Sequence, residues 1–186
     1  MSHAAAAMPA KEALEKLKKG NASYLNAQTN PGDIGKGLRE KTCKEGQAPY
    51  AIVITCSDSR VIPEAIFSAG IGEVFVIRVA GNVISDHQLG SVLYAVEHCG
   101  SRLVVVMGHD HCGAVGAAIA GGADGYVGSI TSMIQKAIGG EKDDYKASCL
   151  NAKASAEIIK EKADLPSDVE VVTAVYKIET GEVDWL

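Results

Sequence analysis

Apolar residues follow two different periods along the chain. From Pro9 to about Gln28, Leu14, Leu17, Asn21, Tyr24 and Leu25 recur at three- and four-residue steps with lysines between them, which predicts an amphipathic helix. The segment 29–48 is rich in Gly, Lys and Glu, shows no period and reads as an irregular connection. Beyond it, short aliphatic runs alternate with helical spacing. Tyr50–Thr55, Glu73–Arg78, Arg102–Met107 and Val169–Lys177 read as strands, with a short terminal strand after the Thr180-Gly181 turn. Helices are predicted near Pro63–Ser68, at Gln88–Cys99 with Asp86 or Ser85 as N-cap, at Cys112–Ala120, near Val127–Ile138 and at Tyr145–Lys162. Strands that carry unbroken Val/Ile runs and alternate with helices belong to a parallel sheet covered on both faces. The expected fold is therefore α/β, a mostly parallel central sheet flanked by helices. It forms one domain over 1–186, with an N-terminal helical arm at 1–28 and an α/β core at 49–186. The amphipathic arm, well ahead of the first strand, is expected to lie across a partner subunit.

Composition narrows the functional classes. Hydrophobic residues are 47% and charged residues 22%, which excludes a disordered chain. The balance of 18 Lys+Arg against 23 Asp+Glu supplies no basic face, so no nucleic-acid partner is expected. No stretch approaches the roughly 20 apolar residues of a membrane span, and no membrane association is expected. The N-terminus lacks a basic region before an apolar run, so it does not read as a secretory signal, and the expected location is cytoplasmic. Five cysteines form an odd set, and in a reducing compartment they are buried, catalytic or metal-bound rather than paired.

Two strand ends carry the candidate chemistry. The first strand ends in Cys56-Ser57-Asp58-Ser59-Arg60, and the third in Gly108-His109-Asp110-His111-Cys112-Gly113. In open α/β sheets ligands bind beyond the carboxyl ends of the strands, which places Cys56, His109 and Cys112 in one crevice. Two thiolates and an imidazole are a soft donor set suited to Zn²⁺, one ion per chain. Three protein ligands leave a fourth position open, the mark of a catalytic rather than a structural zinc. His111 competes with His109 for the imidazole role and is expected to be solvated. Each of these residues alone would suit a buried core. Asp58 and Arg60 at the same sheet end argue otherwise, because a carboxylate and a guanidinium are costly to bury without purpose.

At these residues the chain resembles the β-class carbonic anhydrases. The resemblance rests on CSDSRV at 56–61, R-x-A-G-N at 78–82, GSVLYAVEHCG at 90–100, GHDHCGAV at 108–115 and VYKIETGEV at 175–183, in order from about residue 11 onwards. It implies a zinc held by Cys56, His109 and Cys112, with an Asp58–Arg60 dyad beside it. It also implies substrate-pocket roles for Gln47, Phe75, Tyr94 and Gly113, with Ala80 in the apolar wall; plain core packing is the other role open to Phe75 and Tyr94. The activity implied is reversible hydration of carbon dioxide to bicarbonate and a proton through a zinc-bound hydroxide. Asp58 would orient the hydroxide's proton, and Arg60 would hold Asp58 away from the metal.

The resemblance leaves other readings in view. Relatives with the same zinc constellation hydrolyse carbonyl sulfide or carbon disulfide, and a homologue can retain zinc without catalysis. The family implies a homodimer or larger homo-oligomer with active sites near the interface. His111 and His87 are candidates to carry the released proton. Some members also have a regulatory bicarbonate site built from a Trp, an Arg and a Tyr. Arg78 and Tyr176 match two of those positions, but Val53 stands at the third, so that regulation is not expected.

Overall fold

The computed structural model describes residues 7–27, 29 and 32–186, and the expected helix end at Gln28 lies outside them. Five strands form one sheet: β1 (Ala51–Thr55), β2 (Val74–Arg78), β3 (Leu103–His109), β4 (Glu170–Tyr176) and β5 (Val183–Trp185), in the order β2-β1-β3-β4-β5. The first four are parallel and β5 is antiparallel to β4. The register sets Thr55 opposite Arg78 and Met107, and His109 opposite Tyr176, so these residues share the carboxyl end of the sheet. The expected α/β class with a mostly parallel sheet is the one observed.

Every residue of β1 and β3 is buried, because helices cover both faces. On one face Val53, Val105 and Met107 pack with Ala13 and Leu17 of α1 (Ala10–Asn26) and Ile66 of α3 (Pro63–Ile66). On the other, Ile52, Ile54, Val104 and Val106 meet Val92 of α4 (Asp86–His98) and Ala152, Ala156 and Ile159 of α7 (Asp144–Lys162). Each buried Val or Ile contributes about 1.5–3 kcal/mol relative to exposure, enough to fix which face each strand residue takes. A third cluster lies beyond the strand ends. There Val83 packs with Val115 of α5 (Gly113–Ile119), Ile134 and Ile138 of α6 (Gly125–Ile138), and the sulfurs of Cys56 and Cys112.

Three observations refine the expected elements. First, the expected N-terminal helix is present, and within the single chain α1 lies on the sheet. Leu17 is fully buried, and Asn21 donates to the carbonyls of Ile66 and Gly181 at 3.2 and 2.9 Å. Its buried stripe is Ala10, Ala13, Leu17 and Asn21, while Leu25 is 44% exposed. Small alanines let the helix approach the sheet, so the buried stripe shares Leu17 and Asn21 with the expected one and replaces its other members with Ala10 and Ala13. Second, the irregular segment contains a helix, α2 (Lys36–Glu45), with no buried residue among those described. It is supported along its surface by Lys36–Glu40 and Lys41–Glu45 at 3.6 and 4.0 Å, pairs of the i,i+4 kind. A helix that buries nothing has no hydrophobic period to read. Third, β3 runs past Met107 to His109, since Asp110 donates its N–H to the Tyr176 carbonyl and keeps the strand paired.

Candidate metal centre

β1 and β3 are neighbours, so the residues at their carboxyl ends meet although 53 positions separate Cys56 from His109. Cys56 follows β1 directly, His109 is the last residue of β3, and Cys112 precedes the first residue of α5. The two sulfurs and an imidazole nitrogen all lie within 4.8 Å of one another, and all three residues are buried. His109 Nδ1 lies 2.7 Å from the Asp110 carbonyl and donates to it. In the neutral ring that leaves Nε2 with its lone pair, buried and with no hydrogen-bond partner among the described residues. A buried acceptor left unpaired between two sulfurs is costly on its own and fits a zinc ion, which would take that lone pair with both thiolates.

The electrostatics agree with that donor set. Hydrogen bonding with Cys112 pulls Cys56 down to about 4 against the penalty of burial, helped by His109 and the Gly81 N–H. The same contact, with burial, pushes Cys112 far above its usual range. Burial disfavours a charged His109, but the Cys56 sulfur outweighs it and raises the imidazole above its ordinary value.

Asp58 and Arg60 stand beside the cluster in fork-to-fork geometry. Arg60 Nε donates to Asp58 Oδ1 at 2.9 Å and Nη2 to Oδ2 at 2.7 Å, while the Arg60 backbone N–H donates to Oδ1 at 2.9 Å. The guanidinium holds the Asp58 carboxyl well below the usual carboxylate range, against its partial burial. Asp58 Oδ2 lies 3.9 Å from His109 Nε2, so it borders the space that the three donors face.

The other candidate residues are placed differently. Ala80 is half-buried on the 3₁₀ turn Ala80–Asn82, and Gly113 opens α5 next to Cys112. His111 and His87 are both exposed. Phe75 and Tyr94 contact each other, ring centroids 6.2 Å apart, in the layer between sheet and α4, where Tyr94 is 50% exposed. Gln47 is exposed and sits before the amino end of β1, close to Gly72, which precedes β2. Gln47 and Cys56 thus flank opposite ends of a strand that spans roughly 17 Å at about 3.3 Å per residue. Within one chain Gln47 does not join the cluster. Arg78 and Tyr176 are also kept apart: Arg78 donates to the carbonyls of Cys56 and Asp58 at 3.1 and 2.6 Å, whereas the Tyr176 hydroxyl bonds that of Tyr24 at 3.1 Å.

Two further contacts run through a backbone N–H. Gly81 donates its N–H to Cys56 Sγ at 3.2 Å, and Asp144 Oδ2 accepts the His111 N–H at 2.7 Å. The glycine of R-x-A-G-N was visible in the sequence, but a backbone donor is identified only once the turn is folded.

A family model described as carbonic anhydrase matches residues 51–183, from the first strand to the start of the last, and takes in the whole cluster. Carbonic anhydrase 2 of Mycobacterium tuberculosis is 52% identical over 110 residues, covering 59% of this chain and 52% of that protein. A carbonic anhydrase of Mycolicibacterium smegmatis is 43% identical over 114 residues, covering 61% and 54%. The chain thus spans about half the length of these curated relatives. A tetrameric β-carbonic anhydrase of Sordaria macrospora superposes with a TM-score of 0.71 over 81% of this chain and 87% of that one; at 23% identity this is a likeness of fold. The chain belongs to the carbonic anhydrase family, in its β class, a zinc-dependent group.

Proposed function

We propose that this protein catalyses the reversible hydration of carbon dioxide to bicarbonate and a proton, using one zinc ion held by Cys56, His109 and Cys112. The observation that carries the reading is the unpaired, buried Nε2 of His109 converging with two sulfurs beside an intact Asp58–Arg60 pair. Zinc, when bound, supplies a Lewis acid that makes a hydroxide nucleophile available near neutral pH. The chain's own residues do the rest. Asp58, kept ionised by Arg60, accepts the proton-bearing side of the nucleophile and so turns its lone pair toward carbon. Arg60 occupies both carboxylate oxygens and keeps Asp58 from swinging in as a fourth ligand. Val83, Val115 and Ile134 give the centre an apolar surround suited to a small nonpolar substrate.

Gln47, Phe75 and Tyr94 complete a substrate pocket only if a second copy supplies them, which makes the working form a homo-oligomer. The tetrameric Sordaria neighbours support that reading. All five cysteines are free, as suits a reducing, cytoplasmic setting.

The test is stopped-flow CO₂ hydration on protein of measured zinc content, run beside sulfide release from carbonyl sulfide and carbon disulfide. Hydration well above background at one zinc per chain is expected. Zinc-loaded, folded protein without hydration would overturn the activity, and sulfide release exceeding hydration would overturn the substrate.

A further inference from the structure

The turn that presents Gly81 to Cys56 is held from outside the candidate centre. Gly81 and Asn82 are consecutive residues in the left-handed region, at φ +67° and +45°. For a residue with a side chain such a conformation costs about 1–3 kcal/mol and persists only where the surroundings dictate it. Glycine suits position 81, because φ is +67° and a Cβ there would lie 2.7 Å from Ile134 Cδ1 and 3.1 Å from Ala114 Cβ.

The dictating groups are two polar side chains on the buried face of α7. Asn151 Nδ2 donates to the Gly81 carbonyl at 2.7 Å, and Ser155 Oγ donates to the Asn82 carbonyl at 2.9 Å. Both residues are buried. Only φ and ψ of Gly81 separate the peptide plane that Asn151 fixes from the plane carrying the N–H aimed at sulfur. Holding one plane therefore aims the other.

We propose that Asn151 is a positioning residue for the metal centre. Through the Gly81 carbonyl it aims the Gly81 N–H at Cys56 Sγ and thereby tempers that sulfur as a donor. The inference rests on the zinc reading of the site. Two thiolates neutralise a zinc ion's charge, and an N–H directed at one of them withdraws part of that charge, leaving the ion a stronger Lewis acid. Outer groups of this kind typically change metal affinity 10–100-fold.

The experiment measures Zn²⁺ affinity by chelator competition, and the sulfur-to-metal charge-transfer band after loading with Co²⁺. In Asn151→Ala the affinity is expected to fall by about 10–100-fold, because the released turn no longer fixes the sulfur in place and this outweighs its gain in donor strength, and the band to move to longer wavelength as the sulfur loses its hydrogen bond. Ser148→Ala is the control: its hydroxyl is buried in the same helix with no partner among the described residues, and both readouts should stay at wild type. Ser155→Ala, a milder release of the same turn, stands in if Asn151→Ala does not fold. Wild-type affinity and an unmoved band in the folded variant would overturn the proposal, as would an equal change in Ser148→Ala. Wild-type protein that takes up no zinc would overturn the zinc reading itself, a result distinct from a zinc-loaded wild type whose variants behave alike.

Discussion

Arg60 donates from Nη2 to the carbonyl of His111 at 3.1 Å, so the loops after β1 and β3 are tied by the same guanidinium that grips Asp58. His111 sits at φ +51°, and its N–H is taken by Asp144 at the start of α7. Three segments distant in sequence thus hold one carboxylate in place.

Removing the guanidinium should uncouple Asp58 without stripping metal. In Arg60→Ala zinc stays at one per chain, while CO₂ hydration falls on the order of 10²–10³-fold, the usual cost of one preorganised contact. Asp58→Asn should fall by a similar factor, since its amide can donate where an acceptor is needed. Stopped-flow rates with zinc analysis check both, and near-wild-type rates at full zinc would remove the pair from the mechanism.

The pair also fixes a pH dependence. Asp58 is depressed in the folded chain, so its ion pair contributes stability that is full above the ordinary carboxylate range and is lost progressively as pH falls from there through the depressed value. In zinc-free protein the ¹³C signal of the Asp58 carboxyl should show no midpoint near the ordinary value of about 3.9. Arg60→Ala should bring a midpoint back up to that region.

The ligand set is tested by elemental analysis. Cys56→Ala, His109→Ala and Cys112→Ala should each lose most of the zinc, and His111→Ala should keep it. Zinc lost from His111→Ala but retained in His109→Ala would reverse the assignment.

Asp144→Ala leaves the His111 N–H without its acceptor, a loss of about 1 kcal/mol that should lower Tm by roughly 2–4 °C in a chain of this size. CO₂ hydration should fall while zinc is retained. Asp144→Asn, whose amide oxygen still accepts, should restore most of both.

Leu17→Ala tests where α1 packs. Leu17 is fully buried against this chain's own sheet, so a loss of about 2–5 kcal/mol is expected. Denaturation at two protein concentrations should give the same loss; one that shrinks or grows with concentration would place the helix on a neighbour instead.

The amino-acid sequence by itself determined the alternation of strands and helices and the residues that end β1 and β3. Unbroken runs such as Ile52-Val53-Ile54 and Val104-Val105-Val106 announce strands buried on both faces, and the chemistry of a parallel sheet collects where such strands stop. Cys56, Asp58, Arg60, His109 and Cys112 were legible for that reason. Tertiary structure alone decided the rest. α2 buries nothing and so has no apolar period, and α1 approaches the sheet through alanines as much as through leucine. Asn151 reaches Gly81 across 70 residues and Asp144 reaches His111 across 33. Those contacts join a side chain to a backbone group whose direction exists only after the turn has closed, and a backbone N–H or carbonyl looks the same at every position until the fold aims it.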